Sequence, residues 1–304
     1  MKMVTTLICG MLFLVSAGCA SREQTQRPHR KFQVIATLFP LYDMARSIGG
    51  EYADVSLLLP PGAEAHSFEP RPGDILRLHQ ADLFIYTGPF MESWAESLLK
   101  GLDAKRLPAI SAGRGIPLLR HGDEHDHQGM DPHIWLDLDH AKTMVTTILT
   151  GFTTEDPAHA AAFRLNAARY QARIEQLDRA YRSGLAACGT RTIIHGGHFA
   201  FGYLAKRYGL RYLAAFPPSG DSEPSARRMV ALVDIIRSTG AGAIYYEELV
   251  SPRLADTLAQ ETGARLLPLF AAHNISRDDL ARGVTFPEIM ERNLENLRLG
   301  LRCR

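Results

Sequence analysis

The chain has 304 residues, 46% of them apolar and 22% charged, with a formal net charge of +1. That leaves room for two ordinary domains or one large α/β domain. The balance excludes a nucleic-acid binder, because no basic stripe or aromatic–basic interleaving is present, and no repeat at solenoid spacing is visible.

In chain order, residues 1–18 open with Lys2, continue as a short apolar run and end in small residues ahead of Cys19. The run is too short for a membrane span and is followed by polar chain, so it reads as a signal peptide. "SAGC" (16–19) resembles the lipobox of bacterial lipoproteins, with Ser16 where Leu is usual; that implies lipidation at Cys19. Residues 19–30 read as a lipidated flexible tether. Losing residues 1–18 removes Lys2 and leaves 33 basic against 33 acidic side chains. Cys188 and Cys303 then remain in an oxidising compartment, where a disulfide would close a long loop and add about 4–5 kcal/mol.

Residues 31–155 alternate strands (32–38, 54–60, 81–88) with helices (40–49, 72–80), and 185–304 resume with strands at 190–196, 210–216, 242–248 and 264–270. Helices are expected at 225–238, 252–262 and 286–301. Such alternation predicts two α/β lobes, each a mainly parallel sheet with flanking helices. Between them, residues 156–184 predict one long linking helix. Phe163, Ala167, Tyr170, Ile174, Leu177 and Tyr181 form its single apolar stripe, and Asp156-Pro157 is its expected N-terminal cap. A rigid helix between two lobes leaves a cleft suited to a ligand.

Histidine marks four places. His66 follows a strand and Pro-Pro-Gly; His133 sits in "DPHIWLD", with Asp131 or Asp137 available to orient its ring. "HGGH" carries His195 at a strand end and His198 near a helix start. His273 precedes Asn274 after the last strand. Loops at strand C-terminal ends are where open α/β sheets place ligands, and neutral imidazole is a common transition-metal ligand. His121, His125 and His127 lie in a polar loop (121–130), read either as an accessory metal-capturing segment or as plain solvated chain. Glu223 reads as a helix-start residue and Trp94 as packing, while His29, His79, His140 and His159 default to surface or structural roles.

"IATLFPLYDMARSIGGEYADVSLLLPPGAEAHSFEPRPGD", "DPHIWLD", "HFAFGYLAKRYGL", "SGDSEPSARRM" and "VSPRLADTLAQETGARLLPL" together resemble the zinc/manganese ABC-transporter substrate-binding proteins over about residues 32–300. The resemblance implies one divalent ion held between two lobes, with His66, His133 and His198 as ligands. An aspartate that completes the shell in manganese-type members would fall on Asn274, with His273 beside it. The fourth position is left to water, His273 or Glu64. Three imidazoles suit Zn²⁺ better than hard Mn²⁺. The implied protein is a monomeric, extracytoplasmic, membrane-anchored lipoprotein, at the periplasm or outer cell face. It would serve an ABC permease and its ATPase and would not be an enzyme. The alternatives are a manganese- or iron-specific relative and a zinc hydrolase.

Overall fold

The computed structural model describes residues 30–101, 107–120, 129–216, 226–247 and 253–304. The expected signal segment, Cys19, His121, His125, His127 and Glu223 lie outside the described residues. Among the described residues no helix is long and apolar enough to cross a membrane.

Short apolar strands become parallel sheet when helices return the chain and cover both faces. In the first lobe, β1 (Phe32–Ala36), β2 (Ala53–Leu57), β3 (Leu83–Tyr86) and β4 (Ala109–Ser111) pair in the order β2-β1-β3-β4, all parallel. Helices α1 (Phe39–Gly49), α2 (Pro72–Gln80) and α3 (Ser93–Gly101) flank it. All four residues of β3 are buried: Leu83 and Ile85 join one apolar cluster, Phe84 and Tyr86 the other. In the second lobe, β5 (Thr192–His195), β6 (Arg211–Ala214), β7 (Ala243–Tyr246) and β8 (Arg265–Pro268) repeat the pattern as β6-β5-β7-β8. Its helices are α6 (Gly202–Arg207), α7 (Ala226–Thr239), α8 (Arg253–Thr262), α9 (Arg277–Ala281) and α10 (Phe286–Gly300). The strand order reverses beside β1 and beside β5, and the crevice at the C-terminal strand ends there is the natural ligand position.

Two helices, α4 (Leu138–Glu155) and α5 (Ala160–Gly184), carry the chain from the first sheet to the second; α4 packs on β3 and β4, and α5 on α1, α4 and α10. The six stripe residues of α5 are each no more than 8% exposed. At ~1.5 Å per residue, its 25 residues span about 37 Å. The expected cap differs: Pro157–His159 form a 3₁₀ turn, the α-helix starts at Ala160, and Asp156 directs its carboxylate to the His159 ring (2.6 Å). β4 and α4 are further elements that the sequence reading did not identify. In α4 six threonines weaken local helix propensity, yet every hydroxyl donates to the carbonyl four residues back. The buried face Leu138, Ala141, Met144, Val145, Ile148 and Phe152 then decides for helix.

Several hydrogen bonds tie the lobes and α5 together. Asp43 of α1, fully buried, accepts from the Tyr170 hydroxyl of α5 (2.7 Å) and from the Phe286 backbone N–H of α10 (3.0 Å). Arg207 of α6 reaches Asp137, the N-cap of α4 (2.7 Å), and Asp178 of α5 (2.8 Å). The indole of Trp135, wholly buried, donates to the Ala271 carbonyl (2.7 Å). Cys188 and Cys303 form a disulfide, flanked by backbone bonds from Gly189 to Arg302 and from Thr190 to Leu301.

Candidate metal centre

Loops from the C-terminal ends of both sheets converge on a cluster of imidazoles. His66 lies on the loop after β2, His133 between β4 and α4, His198 between β5 and α6, and His273 after β8. The four rings stand 5.1 to 6.4 Å apart, centre to centre, in all six pairings. His66, His133 and His198 each present a ring nitrogen, the three lying within 4.8 Å of one another. The Nε2 atoms of His133 and His198 are 3.2 Å apart. Two imidazoles on one tetrahedral ion at ~2.05 Å would hold their nitrogens about 3.3 Å apart, so this pair is spaced for a shared metal. His66 is the exposed member and His133 the buried one (2%).

Each inner imidazole has its other nitrogen on a carboxylate, the arrangement that fixes tautomer and ring orientation at metal sites. Asp131 Oδ1 accepts from the His133 backbone N–H (3.0 Å) and faces His133 Nδ1 at 2.8 Å. Of the two aspartates considered for this role, Asp131 fills it, while Asp137 caps α4 and pairs with Arg207. His198 Nδ1 stands 2.6 Å from Glu247 Oε1. Glu247, 5% exposed at the end of β7, went unremarked in the sequence. The available signal was its position, an acid directly after a buried strand on the edge where β2, β5 and β8 also place polar residues.

Next to the last strand, the structure separates two neighbours. Asn274 points to the first lobe, its amide donating to the Pro60 carbonyl (3.2 Å) and to the Ala63 carbonyl, and is occupied structurally. His273 instead faces the cluster. Ala272 before it takes φ 58°, a left-handed conformation rare for a residue with a Cβ, and His273 follows this turn, 8% exposed. Glu64 stays exposed and accepts from the His66 backbone N–H (3.0 Å). His195 is fully buried behind Glu247, outside the converging triad. Trp94 packs beside Phe68 and Phe84.

Burial and mutual repulsion keep most of these rings neutral. Burial, then His133, His198 and His273, push His66 down to about 2, although one side of the residue remains open to solvent. His273 falls to about 3 through burial and the His198 charge, and His133 is lowered mainly by burial. Burial opposes a charge on His198 too, but the adjacent Glu247 carboxylate outweighs it and raises His198 above the ordinary imidazole value. For Glu247, burial raises the pKa, yet the histidines around it, His198 foremost, bring it down to about 2. Once His198 releases its proton, the centre offers neutral nitrogen donors backed by two buried carboxylates, a borderline-soft donor set suited to Zn²⁺.

Residues 34–300 match the family described as zinc-uptake complex component A, periplasmic. The chain is 33% identical over 303 residues to the high-affinity zinc uptake system protein ZnuA of Bacillus subtilis, covering 95% of this chain and 94% of that protein. It is 32% identical over 308 residues to the zinc-binding lipoprotein AdcA of Streptococcus pneumoniae, covering 98% of this chain and spanning 61% of AdcA's length. The solved structure of the Zn(II)-bound ZnuA-like domain of that AdcA superposes with a TM-score of 0.78 at 31% identity, over 90% of this chain and 99% of the domain. Two parallel-sheet lobes joined by a long helix, with imidazoles converging between them, define a two-lobed metal-binding class. The chain belongs to the ZnuA family of zinc-uptake components.

Proposed function

We propose that this protein is the extracytoplasmic zinc-binding component of an ABC importer, which captures one Zn²⁺ between its lobes and delivers it to a permease driven by its ATPase. The observation that carries the reading is the 3.2 Å approach of His133 Nε2 and His198 Nε2, with the His66 nitrogen within reach and a carboxylate behind each inner ring. His66, His133 and His198 are the ligands, and His273 closes the fourth position. The all-nitrogen donor set favours Zn²⁺ over Mn²⁺. Residues 1–18 direct export and Cys19 carries the lipid that keeps the monomeric protein at the membrane. The bonds from Asp43, Trp135, Arg207 and Asn274 restrain the lobes, so release proceeds through shifts of the His66 loop more than through a wide hinge. The cycle is capture and release, with no covalent step.

Metal analysis of the purified protein tests the reading. One Zn²⁺ per chain is expected, resisting Mn²⁺ competition and lost in the His66→Ala/His133→Ala/His198→Ala triple variant. Equal retention of zinc by that variant would refute the ligand assignment.

The protonation states give a pH dependence with a definite sign. His66, His133 and His273 hold their lone pairs free at neutral pH, whereas His198, raised above the ordinary value of ~6.5, must release a proton to bind. Affinity therefore rises with pH up to the His198 pKa and levels off above it. Below it, zinc affinity is expected to fall about tenfold per pH unit, the slope for one proton. Chelator competition between pH 5.5 and 8.5 checks this; a slope of two or three decades per unit would mean that several histidines are protonated in the free protein.

A further inference from the structure

His195, the first histidine of "HGGH", is fully buried and takes no part in the converging triad. Its Nδ1 accepts from the Gly197 backbone N–H (3.2 Å), which leaves the ring proton on Nε2. That Nε2 has no hydrogen-bond partner among the described residues, an arrangement that costs stability unless something answers it. A carboxylate oxygen, Glu247 Oε1, stands 3.9 Å away, the same oxygen that stands 2.6 Å from His198 Nδ1. The oxygen thus lies between two imidazoles, one aimed at the metal position and one buried behind it.

We propose that His195 is a positioning residue for zinc capture: its Nε2–H braces the Glu247 carboxylate from behind, and Glu247 in turn holds the His198 ring in register with the ion. The proposal builds on the zinc-site reading given above. Loading the ion draws His198 and Glu247 into one fixed geometry, and the Nε2–H of His195 closes onto the carboxylate as a hydrogen bond. The two glycines of the motif make room for this. A Cβ on Gly197 would stand 2.8 Å from His195 Cε1 and 3.1 Å from Glu247 Oε1, wedging the pair apart. Gly196 packs against Ala255 of α8, where a Cβ would meet the Ala255 Cβ at 2.5 Å. The spacing His-Gly-Gly-His therefore encodes a ligand and the brace of its supporting carboxylate.

The test is a set of zinc affinities measured by chelator competition on the full-length protein. His195→Leu is expected to weaken binding by roughly tenfold or more, the usual cost of losing an outer partner of a metal-bound imidazole. His195→Gln, whose amide N–H can reach the carboxylate, is expected to recover most of that loss, which restored packing alone would not do. In a Glu247→Gln background, His195→Leu is expected to add little, because the two act through one contact. Gly197→Ala gives an independent route if His195→Leu does not fold, and it should weaken zinc binding while leaving every polar group in place. Wild-type affinity in His195→Leu or Gly197→Ala, losses that multiply in the His195→Leu/Glu247→Gln pair, or a His195→Gln variant as weak as His195→Leu would overturn the brace. Undiminished zinc binding by His198→Ala would instead overturn the underlying site, so the two failures are told apart.

Discussion

Replacing His133 with alanine is expected to weaken zinc binding by about 10²- to 10³-fold and to lower the stability of the metal-free protein by about 2 kcal/mol. The first figure follows from sharing the ~10–16 kcal/mol of a four-ligand zinc site among its ligands, about 2.5–4 kcal/mol each, at 1.4 kcal/mol per decade. The second has a separate origin. Asp131 is fully buried, and its Oδ1 loses the ring nitrogen that faces it at 2.8 Å. Removing one partner of a buried polar pair costs about 1–3 kcal/mol. His66 offers the internal control, since it lies exposed on a loop and its ring has no carboxylate in hydrogen-bond or ion-pair range among the described residues. His66→Ala is expected to lose zinc affinity on the same scale while the metal-free protein melts within a degree or two of wild type. Chelator competition and thermal unfolding of the stripped protein measure the two effects. Equal stability losses in both variants would show that Asp131 does not depend on His133.

Breaking the disulfide is expected to cost stability and leave zinc binding intact. Cys188 and Cys303 are 115 residues apart in sequence, and the bridge encloses the whole second sheet with α10. Releasing a loop of that size restores chain entropy worth about 4–5 kcal/mol in the unfolded state, on the chain-entropy account. The Cys188→Ser/Cys303→Ser protein should therefore melt about 10 °C or more below the wild type. The cysteines lie at the opposite edge of the sheet from the histidines: Cys188 precedes β5, and His198 follows it. Zinc affinity below the melting transition should then match wild type within about twofold. A large loss of affinity would mean that the bridge sets the position of His198 through β5, a coupling that the fold gives no reason to expect.

Much of the architecture was legible because it is local. Short Val-, Ile- and Phe-rich runs became strands within two or three residues of their expected ends, and the stripe from Phe163 to Tyr181 is buried throughout. Where local preference and tertiary packing disagree, the sequence misleads. The threonines of α4 favour extended chain taken alone, and only the apolar face packed on β3, β4, α1 and α5 makes that segment a helix. β4 has three residues, too few to show any periodicity. Asp156 looked like a helix cap, but Pro157 opens a 3₁₀ turn and the carboxylate turns to His159.

The sequence by itself determined two parallel α/β lobes, the long helix between them, and histidines at four places along the chain. Each of these depends on residue type and spacing along a few turns or strands of chain. That His66, His133 and His198 belong to one site was implied by the family resemblance and not by their spacing. Only the tertiary structure decided which acids serve the imidazoles and which neighbour of the last strand faces the cluster. Asp131 rather than Asp137 holds His133, Glu247 stands behind His198 from 49 residues further along the chain, and His273 turns inward while Asn274 binds the loop at Pro60. Such partners are chosen by distance in the folded molecule and by the cost of leaving a buried charge or amide unanswered. Neither quantity exists until the chain has folded and the loops from both sheets have converged.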